Sequence, residues 1–417
     1  MSIHQRHPGL WELGNFPSIE ITGPMRYGSD LTLQERYLEM NVMDRRKFLK
    51  GSLAAMSAMT LKPEALLAVA EAKPNAASQA ADKIDFYCHF SSMKVIDYLE
   101  EAGESKPHVF RSLFFNTPTL IDVDKRLRLM DSCGISRSVL VPLPWIETSP
   151  AVYADPQKCS RAARIMNEEL ARITAKRPDR FSAVALLPAT NTDIMIREID
   201  YAVKQLGFGG GMVAFGPTVK RPDHGDYEQL WATAVRLDVP IWMHPSRPPV
   251  YPDYIDEEVS KYQVWQTLSW LMDSSTAMVR IVFAGVFDRY PGLKLVVHHH
   301  GALVPLFAKR MQYGWDYFEE STGKKQVTSI SRPYIDHFRK FYCDTATQGH
   351  EPALLEIAYR FFGKDRILFG SDAPMDAAGG KAFTLDAMSS VEAMAIPVED
   401  KQLIYRDNAL KILKLNV

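Results

Sequence analysis

Cysteine is scarce in this sequence. The four present, Cys88, Cys133, Cys159 and Cys343, include no Cys-x-x-Cys pair, which argues against a thiolate zinc knuckle or a thioredoxin-type redox site. Cys88 and Cys343 fall in strand-like apolar runs, where a thiol reads as a buried free side chain rather than half of a disulfide. An excess of either charge is also missing: 49 Lys and Arg face 50 Asp and Glu, for a net charge of -1. That balance removes the electrostatic reason to expect a nucleic-acid or anionic-membrane partner. No apolar run is long enough to span a bilayer. No Gly-x-Gly-x-x-Gly follows the first strand-like segment, so a dinucleotide-binding fold loses its main support. Gly209-Gly210-Gly211 lies inside a strand-like run and has no phosphate-loop lysine after it. What is there instead is 46% hydrophobic and 24% charged residues over 417 positions, enough for a large core and too apolar for general disorder.

The first 82 residues do not share the pattern of the rest. Residues 1–42 hold turn formers and scattered polar groups without a clear period. Asp44-Arg45-Arg46-Lys47-Phe48-Leu49-Lys50 then precedes a weakly apolar run, Gly51 to Leu61. An Ala-rich segment, 65–82, follows, with Ala68-Val69-Ala70 as a small-x-small cleavage point after 70. Motif 44–50 resembles a bacterial twin-arginine export signal, which implies a periplasmic or exported protein that folds before transport. The alternative is a cytoplasmic protein in which the same residues open an amphipathic helix. The position of the motif fits either a start at Met40 or Met43 or a genuine leader ahead of it.

From residue 83 to 417 strand-like and helix-like segments alternate. The strand candidates are Lys83–Phe90, Ser136–Leu143, Arg180–Pro188, Phe208–Phe215, Pro240–Pro245, Leu293–Gly301, Phe341–Ala346 and Arg366–Pro374, each short, apolar or β-branched, and bounded by Gly, Pro or charge. Helical periods lie between them, as in Cys159–Ala175, Asp193–Leu206 and Trp265–Arg289. Strict alternation of this kind predicts an α/β fold, a (β/α)8 TIM barrel, as one domain over 83–417 behind a leader of 1–82. The long connections 90–122 and 246–264 then fall at the catalytic mouth.

Ligand-type residues recur at the C-terminal ends of these strands. The first ends in Asp85-Phe86-Tyr87-Cys88-His89, the fifth in His244-Pro245, the sixth in His298-His299-His300-Gly301 and the eighth in Gly370-Ser371-Asp372. A barrel gathers strand ends around one mouth, and imidazoles plus a carboxylate are the donors of a divalent metal with an activated water. Strand alternation puts His299 on one side and His298 and His300 on the other, so His299 is the histidine expected in the site, with its neighbours in supporting hydrogen bonds. Arg247, three residues after His244, reads either as a fork for a substrate carboxylate or as a solvated loop arginine. Phe110, Phe114, Phe115, Trp265 and Trp270 read as packing.

The segments Arg177-Pro178-Asp179-Arg180-Phe181, Val239 to Pro245, Phe287-Asp288-Arg289-Tyr290-Pro291-Gly292, His299-x-Gly301-x-x-x-Pro305, Phe341-Tyr342-Cys343-Asp344-Thr345 and Arg366 to Pro374 together resemble the amidohydrolase-related family that contains aminocarboxymuconate-semialdehyde and γ-resorcylate decarboxylases. The resemblance covers about 83–413. It implies a carboxy-lyase that removes CO₂ from a small unsaturated or aromatic acid. It also implies one divalent metal (zinc first, manganese second), no organic cofactor, and pairing into homodimers. His89, His244 and Asp372 are the implied metal-site residues, with His299 as the catalytic histidine and Asp372 as either ligand or proton donor. The family opens with His-x-His or Glu-x-His, whereas this chain has Tyr87-x-His89. That departure leaves three readings open: a site with Tyr87 near the metal, a phenolate ligand, or a degenerate site. The rival activity within the family is hydrolysis of a lactone or ester by metal-bound water, and the rival class is a catalytically silent member.

Overall fold

The computed structural model describes residues 82–415, apart from positions 107, 109, 326 and 328. Motif 44–50 and the cleavage point after 70 lie outside the described residues. No helix among the described residues is long and apolar enough to cross a membrane.

The strands are β1 (Lys83–His89), β2 (Ile135–Val141), β3 (Phe181–Ala183), β4 (Ala185–Leu187), β5 (Gly211–Phe215), β6 (Ile241–Pro245), β7 (Leu295–Val297), β8 (Tyr342–Asp344) and β9 (Ile367–Leu368). Every neighbouring pair is parallel, in the orders β1-β2-β3 and β4 through β9. The third expected strand is one stave in two pieces. Phe181–Ala183 pairs with β2 and Ala185–Leu187 with β5, and at the changeover the Val184 N–H donates to Leu140 O at 3.2 Å. Tilted strands in a closed sheet meet their two neighbours at different heights, which is what this slide records. Phe86 N–H donates to Phe369 O and His89 N–H to Ala373 O, both at 2.7 Å, which joins the last stave to the first. The expected barrel is therefore the architecture found.

The helices between the staves start where short polar side chains can cap them. Asp155 accepts from the amides of Gln157 and Lys158 ahead of Pro156–Lys176, and Asn191 accepts from Ile194 ahead of Thr192–Gln205. Gly134 closes Val123–Cys133 in the left-handed conformation that glycine adopts freely. The long period over Trp265–Arg289 is broken by Leu268 and Gly285 into Val264–Thr267, Ser269–Phe283 and Val286–Arg289. The glycine run has a packing role: a Cβ on Gly210 would strike the Pro240 carbonyl, and one on Gly211 would strike Leu187. Within the barrel Phe86 of β1 stacks on Trp242 of β6 with ring centroids 4.8 Å apart, and both side chains are fully buried.

The connection after β2 buries Glu147. One carboxylate oxygen accepts from Ala189 N–H at 2.9 Å beyond β4, and the other has no hydrogen-bond partner among the described residues. Burial pushes this carboxyl up to about 7. Since the folded value lies above the unfolded one of about 4.3, the native state holds the extra proton. The stability is thus fullest below about pH 4 and falls as pH rises towards 7. Glu147→Gln keeps an acceptor for Ala189 and removes the titration. Measured against the wild type by denaturant unfolding, it gains roughly 2–3 kcal/mol between pH 5 and pH 8. An identical difference at both pH values would contradict the assignment.

Candidate metal centre

Five stave ends deliver the polar groups of one buried cluster. His89 closes β1, His244 sits near the end of β6, His298 follows β7, Asp344 closes β8 and Asp372 follows β9. The ligand atoms of His89, His298 and Asp372 all lie within 4.8 Å of one another. Asp372 Oδ1 is 3.1 Å from His89 Nε2 and 3.2 Å from His298 Nε2. His244 stands beside this group, its ring 5.1 Å from that of His89 and 5.9 Å from that of His298. All five side chains are buried.

The outer nitrogens of the three imidazoles decide what the inner ones present. His89 Nδ1 lies 3.2 Å from Val141 O and His244 Nδ1 2.5 Å from Pro245 O, so each Nδ1 must donate, since a carbonyl only accepts. His298 Nδ1 is in close contact with Asp344 Oδ2. His89 and His244 can thus turn a lone pair at Nε2 inward, and His298 can do so once its Nε2 proton is released, the arrangement in which a carboxylate or carbonyl behind an imidazole prepares it as a metal ligand. His298 Nε2 is near Asp372 but poorly aligned with it, a buried nitrogen without a hydrogen-bond partner. Two imidazole nitrogens around one carboxylate oxygen, one nitrogen orphaned, form a donor set that fits a divalent cation.

The amidohydrolase family profile matches residues 146–415. The γ-resorcylate decarboxylase of a Polaromonas species is 32% identical over 314 residues, covering 71% of this chain and 89% of that protein. The chain belongs to the amidohydrolase family. Two solved structures carry the likeness into three dimensions. The 2,6-dihydroxybenzoate decarboxylase from Rhizobium is 28% identical with a TM-score of 0.65, spanning 80% of this chain and 98% of that one. A dihydroxybenzoic acid decarboxylase from Polaromonas, with bound manganese and the inhibitor 2-nitroresorcinol, is also 28% identical with a TM-score of 0.65, spanning 81% and 98%. Within the family this chain is a TIM-barrel carboxy-lyase.

Strong charges oppose one another in the amidohydrolase site. Burial alone would strip charge from His298, but Asp344 and Asp372 outweigh it and push the imidazole up to about 10. Burial likewise works against an ionised Asp372, yet His298 and then His89 hold it well below the usual carboxylate range. Asp344 and Asp372, one at each nitrogen of His298, are surroundings that favour positive charge in this cluster. Burial first, and then the neighbouring His89 and His298, hold His244 well below the ordinary imidazole range. Burial, reinforced by His298, pushes His299 down to about 3.

The stave ends are locked by partners outside the cluster. Asp85 accepts from the backbone N–H of Ser371 at 3.0 Å and from its hydroxyl at 2.6 Å, while Asp372 N–H donates to Tyr87 O at 3.0 Å. Asp372 itself takes the left-handed φ of +61°, a conformation that aspartate adopts more readily than most residues, and its bond to β1 fixes the turn. Arg126, fully buried, donates to the carbonyls of His89 and of Thr119.

Several expectations change here. The sixth stave ends at Val297, and His299, His300 and Ala302 have φ of +57°, +47° and +57°. Strand alternation therefore does not apply to the triple histidine. His298, expected on the supporting side, points into the cluster, and His299 stacks on it at 3.8 Å with Nδ1 3.4 Å from Ala346 O. The Nε and Nη2 of Arg247 pair with the two oxygens of Asp273 at 3.0 and 2.9 Å, so this arginine is anchored to a helix rather than free in solvent. Trp270, read as packing, lies edge-on to His244 at 5.6 Å. Gln348, four residues beyond β8, donates to Asp372 Oδ2 at 2.7 Å and was missed. The signal for Gln348 was its place just past a stave end. Phe110 and Phe114 pack on Trp145, whose indole donates to Ser91, so the 90–122 connection is tied to the rim.

Gly370 is where the staves approach most closely behind the site: a Cβ there would lie 2.8 Å from Tyr87 Cβ and 2.9 Å from Asp344 Cβ. Gly370→Ala is expected to destabilise the fold by roughly 1–3 kcal/mol, as overpacking does, and to weaken divalent-metal binding because it pushes Asp344 and Tyr87 apart. Denaturant unfolding and metal titration check it. Wild-type stability with wild-type metal affinity would show that the two staves yield freely.

Proposed function

We propose that this protein is a metal-dependent decarboxylase of a hydroxylated aromatic acid, of the kind 2,6-dihydroxybenzoate represents. The observation that carries the reading is the convergence of His89, His298 and Asp372, with His244 beside them, at the mouth of a barrel whose relatives are decarboxylases. The metal is manganese, as in the Polaromonas relative, with zinc as the second ion to test. Bound among these donors, the ion supplies positive charge for the substrate's carboxylate and the adjacent ring oxygen.

This chain's own residues do the rest. Asp372 is held ionised, which suits a ligand and leaves the proton-carrying role to another group. The Ala346 carbonyl behind Nδ1 makes that nitrogen the donor, so His299 presents its lone pair at Nε2. Nε2 accepts the proton that a ring hydroxyl gives up and returns it to the carbon bearing the carboxylate. The bond from that carbon to CO₂ then breaks and its electron pair restores the ring. Trp270 beside His244 offers a flat wall for such a ring.

The manganese-loaded protein, assayed on a panel of hydroxybenzoates and lactones, is expected to release CO₂ from an acid. His299→Gln is expected to lower that rate by about 10²–10⁴ while metal content stays the same. Turnover of a lactone with no CO₂ from any acid would remove the decarboxylase reading.

We also propose export by the twin-arginine route, supported by the sequence motif 44–50. Lysine at both Arg45 and Arg46 is expected to keep the protein in the cytoplasm on cell fractionation. An unchanged distribution would contradict export by this route.

A further inference from the structure

Position 87 is where this chain leaves its family's pattern, and the structure shows what the tyrosine does there. Its hydroxyl donates to the Met243 carbonyl on β6 at 3.3 Å, so the phenol oxygen is already engaged as a donor to backbone. Its ring lies flat on the His298 imidazole, centroids 3.8 Å apart and planes 5° from parallel. On its other face His298 stacks on His299, also at 3.8 Å. The imidazole is thus clamped between two rings, which leaves it only rotation in its own plane. Asp344 removes that freedom by engaging Nδ1. What is left over is Nε2: fully buried, without a hydrogen-bond partner, and 3.2 Å from the carboxylate oxygen that also faces His89.

We propose that His298 has taken over the ligand position that residue 87 gives up in this chain. It binds the divalent metal through Nε2 together with His89 and Asp372, while Tyr87 serves as the plate that fixes the ring's plane and Asp344 fixes its tautomer. The inference rests on the metal-dependent reading above and adds to it which side chain completes the donor set. A clamped imidazole with a carboxylate behind one nitrogen and an unpartnered nitrogen in front meets the requirements for a metal ligand, with the Nε2 proton released to solvent as the cation takes its place. Tyr87 is a positioning residue in this arrangement, and its ring matters where its hydroxyl does not.

The test is Mn²⁺ binding, read by calorimetry and by the spin resonance of free Mn²⁺, on the full chain and three variants. His298→Ala and His298→Gln are expected to weaken binding at least 100-fold. The glutamine variant can still donate to Asp344 and keeps much of the packing, so it answers the question if the alanine variant does not fold. Tyr87→Phe is expected to bind within threefold of the wild type. Retention of Mn²⁺ by His298→Gln within threefold, or a 100-fold loss in Tyr87→Phe, would overturn the assignment and leave the metal-dependent reading standing. A wild-type protein that binds neither Mn²⁺ nor Zn²⁺ would overturn that reading and this inference with it.

Discussion

One carboxylate oxygen organises this molecule's chemistry. Asp372 Oδ1 faces the inner nitrogens of His89 and His298 at 3.1 and 3.2 Å, in a pocket from which solvent is excluded. An ionised carboxylate in such surroundings costs several kcal/mol unless positive charge compensates it. Much of the site supplies or fixes that compensation: two imidazoles in front, Gln348 on the second oxygen, and a left-handed turn to aim the side chain. The same constraint explains why Asp344 lies behind His298. It sets a second carboxylate against the cluster, and two carboxylates around buried imidazoles favour positive charge there.

The barrel's contribution is to make this concentration of polar groups affordable. The bond between β1 and the end of the last stave, the clamp of Asp85 on Ser371, and the buried guanidinium of Arg126 on the carbonyl of His89 all act on backbone. They hold residues that are close neighbours across the ring but 286 positions apart along the chain, as Asp85 and Ser371 are. Gly370 permits the final approach between the staves that bear Tyr87 and Asp344. The chemistry is therefore tied to the closure of the sheet, and a change behind the site reaches the ligands through main-chain geometry.

Much of this was legible in the sequence. Eight apolar segments alternating with helical periods implied the barrel, because each β-strand and helix announces itself by a local repeat. His89, His244 and Asp372 were visible as ligand types at stave ends, and they do meet at one mouth. Two side chains owe their surroundings to parts of the chain that local pattern does not report. His298 was assigned by strand alternation, a rule that holds only while the backbone is extended, and the stave stops one residue before it. For Arg247 the sequence leaves a substrate fork and a solvated loop arginine open, and its pairing with Asp273 comes from a helix whose docking leaves no local mark in the sequence. Gln348 sits in a connection where neither period nor charge distinguishes it.

The sequence by itself thus determined the class of architecture, the family, and the kinds of atom available at the mouth, since those depend on local pattern and residue chemistry. Only the tertiary structure decided which of three consecutive histidines turns inward, which nitrogen of each ring is free, and what Tyr87 does beside them. Those outcomes depend on left-handed backbone angles after β7 and on partners contributed by distant staves. A side chain's direction and tautomer are set by what surrounds it in space, and one-dimensional spacing carries no record of that.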